Sequence, residues 1–219
     1  MPNALKRVLI EEEIKKIIPY TTTLTNNMEN RWKAYQNIYN YMKTNIKSTY
    51  DLPFPYLMIT QVKLKDINYI TNVTLRYVPN YIQTPETTLK YGQGDCEDQA
   101  IAAYAIIKYY HKNILKEEHK TYLAHIQYQS GRAHLTTIIY EPEGKICIID
   151  PPTNYITNIN NQITAKPVYQ ELITYSNLWK SQEGRITYIK VYDVNIINGN
   201  HQIAAKGTIE EISMILQEN

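Results

Sequence analysis

Cysteine is scarce in this chain, two in 219 residues, which excludes a disulfide framework and fits a reducing compartment. Glycine is also rare, seven in all, so a local concentration of it carries information. No apolar run approaches the roughly 20 residues needed to cross a bilayer, and Glu11-Glu12-Glu13 arrive without a preceding signal-type core, so a cytoplasmic protein without a membrane segment is expected. Charge of one sign is missing as well. The 23 basic and 21 acidic residues nearly balance and the basic ones are scattered, so nucleic acid is not expected as a partner. There is no internal repeat and no low-complexity tract. The 21 tyrosines and the sequon at Asn72-Val73-Thr74 give no functional direction.

With 43% apolar residues, one sizeable core is possible at this length. The expected organisation is a helical N-terminal extension over 1–25, one domain over 26–195, and a C-terminal helical extension over 196–219 packed on the same domain. Ile10, Ile14, Ile17 and Ile18 predict a short amphipathic helix over 4–18 that Pro19 ends. Met28, Trp32, Tyr35, Tyr39, Met42 and Ile46 predict a longer one over 26–47. Pro53, Pro55, Pro79 and Pro85 among β-branched residues suggest irregular structure with short extended pieces, without helices, over 50–90. A buried helix is expected from Cys96 to about Tyr110, since Ala100, Ala103, Tyr104 and Ile107 make one apolar face and Ile101, Ala105 and Ile106 leave little polar surface. Strands are expected near 121–128, 133–140, 145–150 and 185–194. Pro167 can open a helix running towards Trp179, and Thr208 with Glu211 has the spacing of a capping box for a last helix.

The chemistry concentrates at Tyr91-Gly92-Gln93-Gly94-Asp95-Cys96-Glu97-Asp98-Gln99-Ala100, where two of the seven glycines stand beside a lone cysteine at a helix start. A cysteine attacks as thiolate, and an ordinary thiol with a pKa of about 8.5 is only a few per cent ionised near neutrality. A helix N-terminus contributes about 0.3–1 kcal/mol, less than one pKa unit, and Asp95, Glu97 and Asp98 oppose ionisation if they face the sulfur. A cationic partner, an imidazolium, is therefore required. Of five histidines, the hairpin singles out His134. Pro142 and Gly144 suit a type I turn with a three-residue loop that pairs Glu141 with Lys145, sets Thr136 opposite Asp150 and puts His134 and Asp150 on one face. Asp150 could then hold the ring in one tautomer, while Cys147 points to the other face and reads as a buried strand residue. His111, His119, His125 and His201 read as structural or exposed. Asp95 suits an N-cap and Asp98 the third helical position. An oxyanion site would use the Cys96 amide and one side chain, with Gln93 and Tyr91 the nearest candidates.

The segment from Thr84-Pro85-Glu86 through Gly94-Asp95-Cys96-Glu97-Asp98, followed by Ala133-His134-Leu135 and Ile148-Ile149-Asp150 in that order, resembles the transglutaminase-like cysteine peptidase superfamily, and within it the bacterial transglutaminase-like cysteine proteinases. The resemblance covers roughly residues 30–155. It implies an α+β, papain-like core in which a buried helix carrying Cys96 packs on an antiparallel sheet; the extra helices expected at both ends lie outside the resemblance. It further implies Cys96 as nucleophile, His134 as general base and acid, Asp150 as orienter, and a protein or peptide substrate. No cofactor is required by that chemistry. Some relatives bind calcium through carboxylates of the cysteine motif, and Asp95 and Glu97 match those positions, although two carboxylates fall short of the six to eight oxygens calcium takes. Three functions stay open: a cysteine peptidase or amidase working through an acyl-enzyme, a transglutaminase passing the acyl group to an amine, and a non-catalytic module that keeps the fold.

Overall fold

The computed structural model describes residues 2–25, 30–49, 54–64, 67–78 and 81–217. In chain order, three short helices, α1 (Pro2–Val8), α2 (Glu11–Lys15) and α3 (Ile18–Thr25), precede the longer α4 (Arg31–Asn45). A two-residue strand β1 (Lys47–Ser48) and a long antiparallel hairpin, β2 (Phe54–Leu64) with β3 (Ile67–Val78), lead to α5 (Pro85–Tyr91), β4 (Gln93–Gly94) and α6 (Cys96–Tyr109). One further turn of π-helix, Tyr110–Leu115, continues α6. Then come β5 (Thr121–Tyr128), β6 (Ala133–Glu141) and β7 (Lys145–Asp150), a 3-10 turn at Pro151–Thr153, and the short strands β8 (Tyr155–Ile156), β9 (Asn158–Ile159), β10 (Gln162–Ile163) and β11 (Lys166–Pro167). Helix α7 (Val168–Trp179), strands β12 (Ile186–Asn195) and β13 (Asn200–Gly207), and helix α8 (Ile209–Gln217) complete the chain.

The main sheet is antiparallel and seven-stranded, in the order β11-β7-β6-β5-β12-β13, with β8 also paired to β7. Alternation along its strands sorts the core into two layers. Leu123, Leu135, Ile139, Cys147, Ile149, Tyr192 and Val194 join α4 and α6 in one cluster. Ala124, Ile126, Ile138, Ile146, Ile148, Ile189 and Val191 join α7 and α8 in the other. The fold is thus α+β, with the helix that begins at Cys96 buried on one face of an antiparallel sheet. From Ala100 to Ile107 every residue of α6 is buried, as its near-absence of polar side chains requires.

Several expectations are corrected. The single helix over 4–18 is three helices. Ile10 lies outside them in a bridge to Asn198, and Pro19 sits in the first turn of α3, where its missing N–H costs nothing, rather than ending a helix. Helix α4 starts at Arg31 because the Asn30 side chain accepts from the amides of Trp32 and Lys33; Met28 and the rest of 26–29 lie outside the described residues, as do Pro53 and Pro79. Between 54 and 78 the chain forms one long hairpin instead of short extended pieces. Helix α5 was not expected, yet it starts as helices do, with Thr84 as cap and Pro85 in the first turn, and it stops at Gly92 in the left-handed conformation with φ 64. A side chain on Gly92 would also meet the Asn45 carbonyl oxygen at 2.9 Å. The C-terminal segment is not all helix, since Asn200–Gly207 adds an edge strand to the main sheet before α8. Thr208 and Glu211 do make the capping box of α8: the Thr208 amide donates to Glu211 Oε2 at 2.8 Å.

The β6–β7 turn pairs Glu141 with Lys145, the three-residue loop expected, with Gly144 at φ 65. Glu143 also lies at positive φ, 64, so the turn is not of type I at that position. No helix among the described residues is long and apolar enough to cross a membrane.

Candidate functional site

The two residues of β4 dock the cysteine segment on β1, just past the end of α4. Gln93 and Gly94 pair in parallel with Lys47 and Ser48, and the buried Gln99 amide donates to Ser48 Oγ at 3.0 Å and to the Gly94 carbonyl at 3.1 Å. Helix α6 then opens on a complete capping box. Asp95 Oδ1 accepts from the amides of Glu97 at 3.0 Å and Asp98 at 3.2 Å, and Asp98 Oδ2 accepts from the Asp95 amide. Asp98, buried, also accepts from the backbone and side chain of Gln83, at 2.7 and 2.8 Å, which ties the segment before α5 to the start of α6. The carboxylates on either side of Cys96 are therefore structural as well as acidic.

Cys96 is half-buried at the first position of α6. Its thiol donates to Glu97 Oε2 at 3.0 Å. Burial first, then the charge and hydrogen bond of Glu97, push the thiol well above its ordinary range, while the Leu135 backbone N–H opposes this by favouring the thiolate. The opposition foreseen from the acidic neighbours is thus real and comes mainly from Glu97. The Leu135 contact also locates the sulfur, against strand β6 at the residue next to His134.

His134 and Asp150 are brought together. Both are buried, and His134 Nε2 lies 3.0 Å from each carboxylate oxygen of Asp150. Their shared face is the α7/α8 side of the sheet, opposite to Cys147, which packs in the α6 cluster. The Trp179 ring of α7 packs on His134 with centroids 5.2 Å apart. Asp150 Oδ2 accepts two further bonds of 2.5 Å, from Thr153 Oγ1 and Tyr175 OH. Thr153 and Tyr175 were absent from the sequence reading, and Trp179 entered it only as the end of a helix. Thr153 could have been found from its place three residues beyond Asp150; the other two lie too far along the chain for any local signal.

The remaining candidates are more distant from this cluster in character. Tyr91 ends α5, is 66% exposed and stacks with Lys90 at 5.9 Å. Gln93 is exposed in β4. Neither is hydrogen-bonded to Cys96 among the described residues.

Asp95, Cys96 and Glu97 offer three potential metal-ligand atoms within 4.8 Å of one another. They do not fit calcium by themselves. One of the three is a thiol, Asp95 Oδ1 is engaged by two helix amides, and Glu97 Oε2 accepts from the thiol, which leaves far fewer than six oxygens.

Two of the other histidines, His111 and His119, have structural partners. His111 and His119 stack with centroids 4.1 Å apart. His111 Nδ1 donates to Glu117 at 2.6 Å, and its Nε2 accepts from the Tyr35 hydroxyl at 2.6 Å. His119 Nε2 lies 3.5 Å from Glu141 Oε1, and Glu141 also binds Arg31 at 2.9 Å.

No family model and no curated protein matches the chain. Among solved structures, calcium-bound LapG of Legionella pneumophila is similar at 17% identity, with 71% of this chain and 81% of that chain covered and a TM-score of 0.34.

Proposed function

We propose that the chain is a cysteine hydrolase of amide bonds in proteins or peptides, with Cys96 as nucleophile, His134 as general base and acid, and Asp150 as orienter. The observation that carries this reading is the buried His134–Asp150 pair at 3.0 Å, with the Cys96 sulfur against the backbone of the next residue, Leu135. Because Asp150 engages Nε2, Nδ1 is the ring nitrogen left to receive the thiol proton.

In that reaction the thiol proton passes to Nδ1 as sulfur bonds to the carbonyl carbon. The resulting oxyanion is met by the Cys96 N–H, since the next three amides are engaged: Glu97 and Asp98 on the Asp95 side chain, Gln99 on the Asp95 carbonyl. The imidazolium protonates the departing amine as the carbon–nitrogen bond breaks. Water, losing a proton to His134, then attacks the thioester, and the sulfur leaves as the thiol. An amine in place of water would give transglutaminase chemistry from the same acyl-enzyme.

One observation favours a second reading, a non-catalytic module: the thiol is bonded to Glu97 and held protonated by it. The two readings part on the rate of iodoacetamide alkylation against pH, followed by peptide mass spectrometry, with buried Cys147 as internal control. The hydrolase requires Cys96 to react well below pH 9 and to lose that advantage in His134→Ala. Two equally slow cysteines, indifferent to His134, would leave only the module. Where Cys96 does react, mixing the protein with peptides and a lysine-like amine tells hydrolysis from transfer by product mass.

A further inference from the structure

We propose that Tyr175 and Thr153 are positioning residues that lock the Asp150 carboxylate, and through it the His134 ring, for the reaction proposed above; the inference rests on that reading. Asp150 ends β7, and its carboxylate would be able to turn about its last side-chain bond if His134 alone held it. Instead Oδ2 carries two hydroxyl donors, each at 2.5 Å, from different parts of the fold. A hydroxyl that donates to a carboxylate makes a charge-assisted hydrogen bond, about twice as strong as a neutral one.

The two donors are themselves held. Thr153 closes the 3-10 turn that Pro151 and Pro152 begin, and the two proline rings fix the backbone that returns its hydroxyl beneath Asp150. Its Oγ1 lies 3.2 Å from the Asp150 carbonyl as well, so its one hydrogen faces both the main chain and, at the shorter distance, the side chain of one residue. Tyr175 projects from the middle of α7 and is fully buried. Its ring packs edge-on against Tyr155 at 5.2 Å and Trp179 at 6.5 Å. Burial and the charge of Asp150 keep its hydroxyl protonated, so it serves only as donor towards the carboxylate. With Oδ2 pinned from two sides, the carboxylate presents both oxygens to Nε2, and Trp179 closes over the ring. Helix α7 thereby sets the orientation of a histidine on β6 without touching its reactive edge.

The test uses the full chain and the variants Tyr175→Phe, Thr153→Ala and Thr153→Ser, read by the proton NMR signal of the His134 Nε2–H and by the iodoacetamide rate at Cys96. Loss of the signal in His134→Ala and Asp150→Asn assigns it. Locking requires a sharp, slowly exchanging signal in the parent, broadening or loss in Tyr175→Phe and Thr153→Ala, and recovery in Thr153→Ser, which restores the hydroxyl. The His134-dependent part of the Cys96 rate falls about tenfold in the two deficient variants, the scale of one charge-assisted hydrogen bond. Melting curves establish that each variant is folded at the temperature of measurement; should Tyr175→Phe fail to fold, the threonine pair alone decides. A signal and rate profile unchanged in Tyr175→Phe and Thr153→Ala would overturn the inference. A signal that responds as described while Cys96 ignores His134 would keep the lock and overturn the hydrolase.

Discussion

The thiol of Cys96 donates its hydrogen to the carboxylate of its own sequence neighbour, Glu97, over 3.0 Å. Burial and the next residue of the same helix together hold a thiol at a helix N-terminus in its neutral form. Glu97 acts by charge and by hydrogen bond, second only to burial. Replacing it by glutamine removes the charge and keeps the shape. Since an anion beside a thiol raises its pKa, its loss lowers it, and Glu97→Gln should move Cys96 alkylation to lower pH, with a rate at pH 8 roughly tenfold above the parent. An unchanged profile would mean that burial alone sets the thiol.

Gly94 is a second point of leverage. A Cβ there would lie 2.7 Å from the Asp98 Cβ and 3.1 Å from its Oδ2, inside the capping box that starts α6. Gly94→Ala is expected to destabilise by about 1–3 kcal/mol, as overpacking does, and to slow any His134-dependent chemistry at Cys96 as the helix start shifts. Urea unfolding checks the first part and alkylation the second.

Acid should weaken the fold through His111. Burial first, and then the neighbouring His119, push its imidazole down from 6.5 to about 4, against the opposite pull of Glu117 and Glu141. The unfolded chain then takes up the proton before the folded one, so stability falls as pH drops from about 6.5, and this contribution is lost in full below about 4. His111→Gln should lower stability at neutral pH, because the bonds to Tyr35 and Glu117 change, yet flatten the profile across that window. Urea midpoints measured from pH 7 to 4 would show it; parallel slopes in parent and variant would exclude His111 as the cause.

Calcium should leave the protein indifferent. With Asp95 capping α6 and Glu97 bound to the thiol, neither a chelator nor millimolar calcium is expected to shift the melting temperature. A calcium-dependent rise would require the capping box to open or further oxygens to join.

Local signals were strong where local physics decides. The periodicity of α4 and α6, the alternation in β5 to β7, and the caps at Asp95 and Thr208 are short-range consequences of side-chain type, and each was readable. The meeting of His134 with Asp150 followed from one turn length, because strand parity carries through a hairpin. Legibility failed where distant segments decide. Proline density over 50–90 concealed a long hairpin and the helix at Pro85–Tyr91, although Thr84-Pro85 is itself a helix start. Strand β13 was missed since its burial is mostly one-sided and weak, as befits an edge. Tyr175 and Trp179 reach Asp150 and His134 from α7, on the same face of the sheet, a partnership no spacing in the chain announces.

Two hydrophobic layers hold this cluster: α6, which begins at Cys96, rests on one, and the imidazole and carboxylate face the other. Warming or mild denaturant that loosens only the α7/α8 side will let the ring drift while the sulfur keeps its station. Any His134-dependent reactivity of Cys96 should accordingly fade ahead of the cooperative melt, an early gauge of wear in the opposite layer.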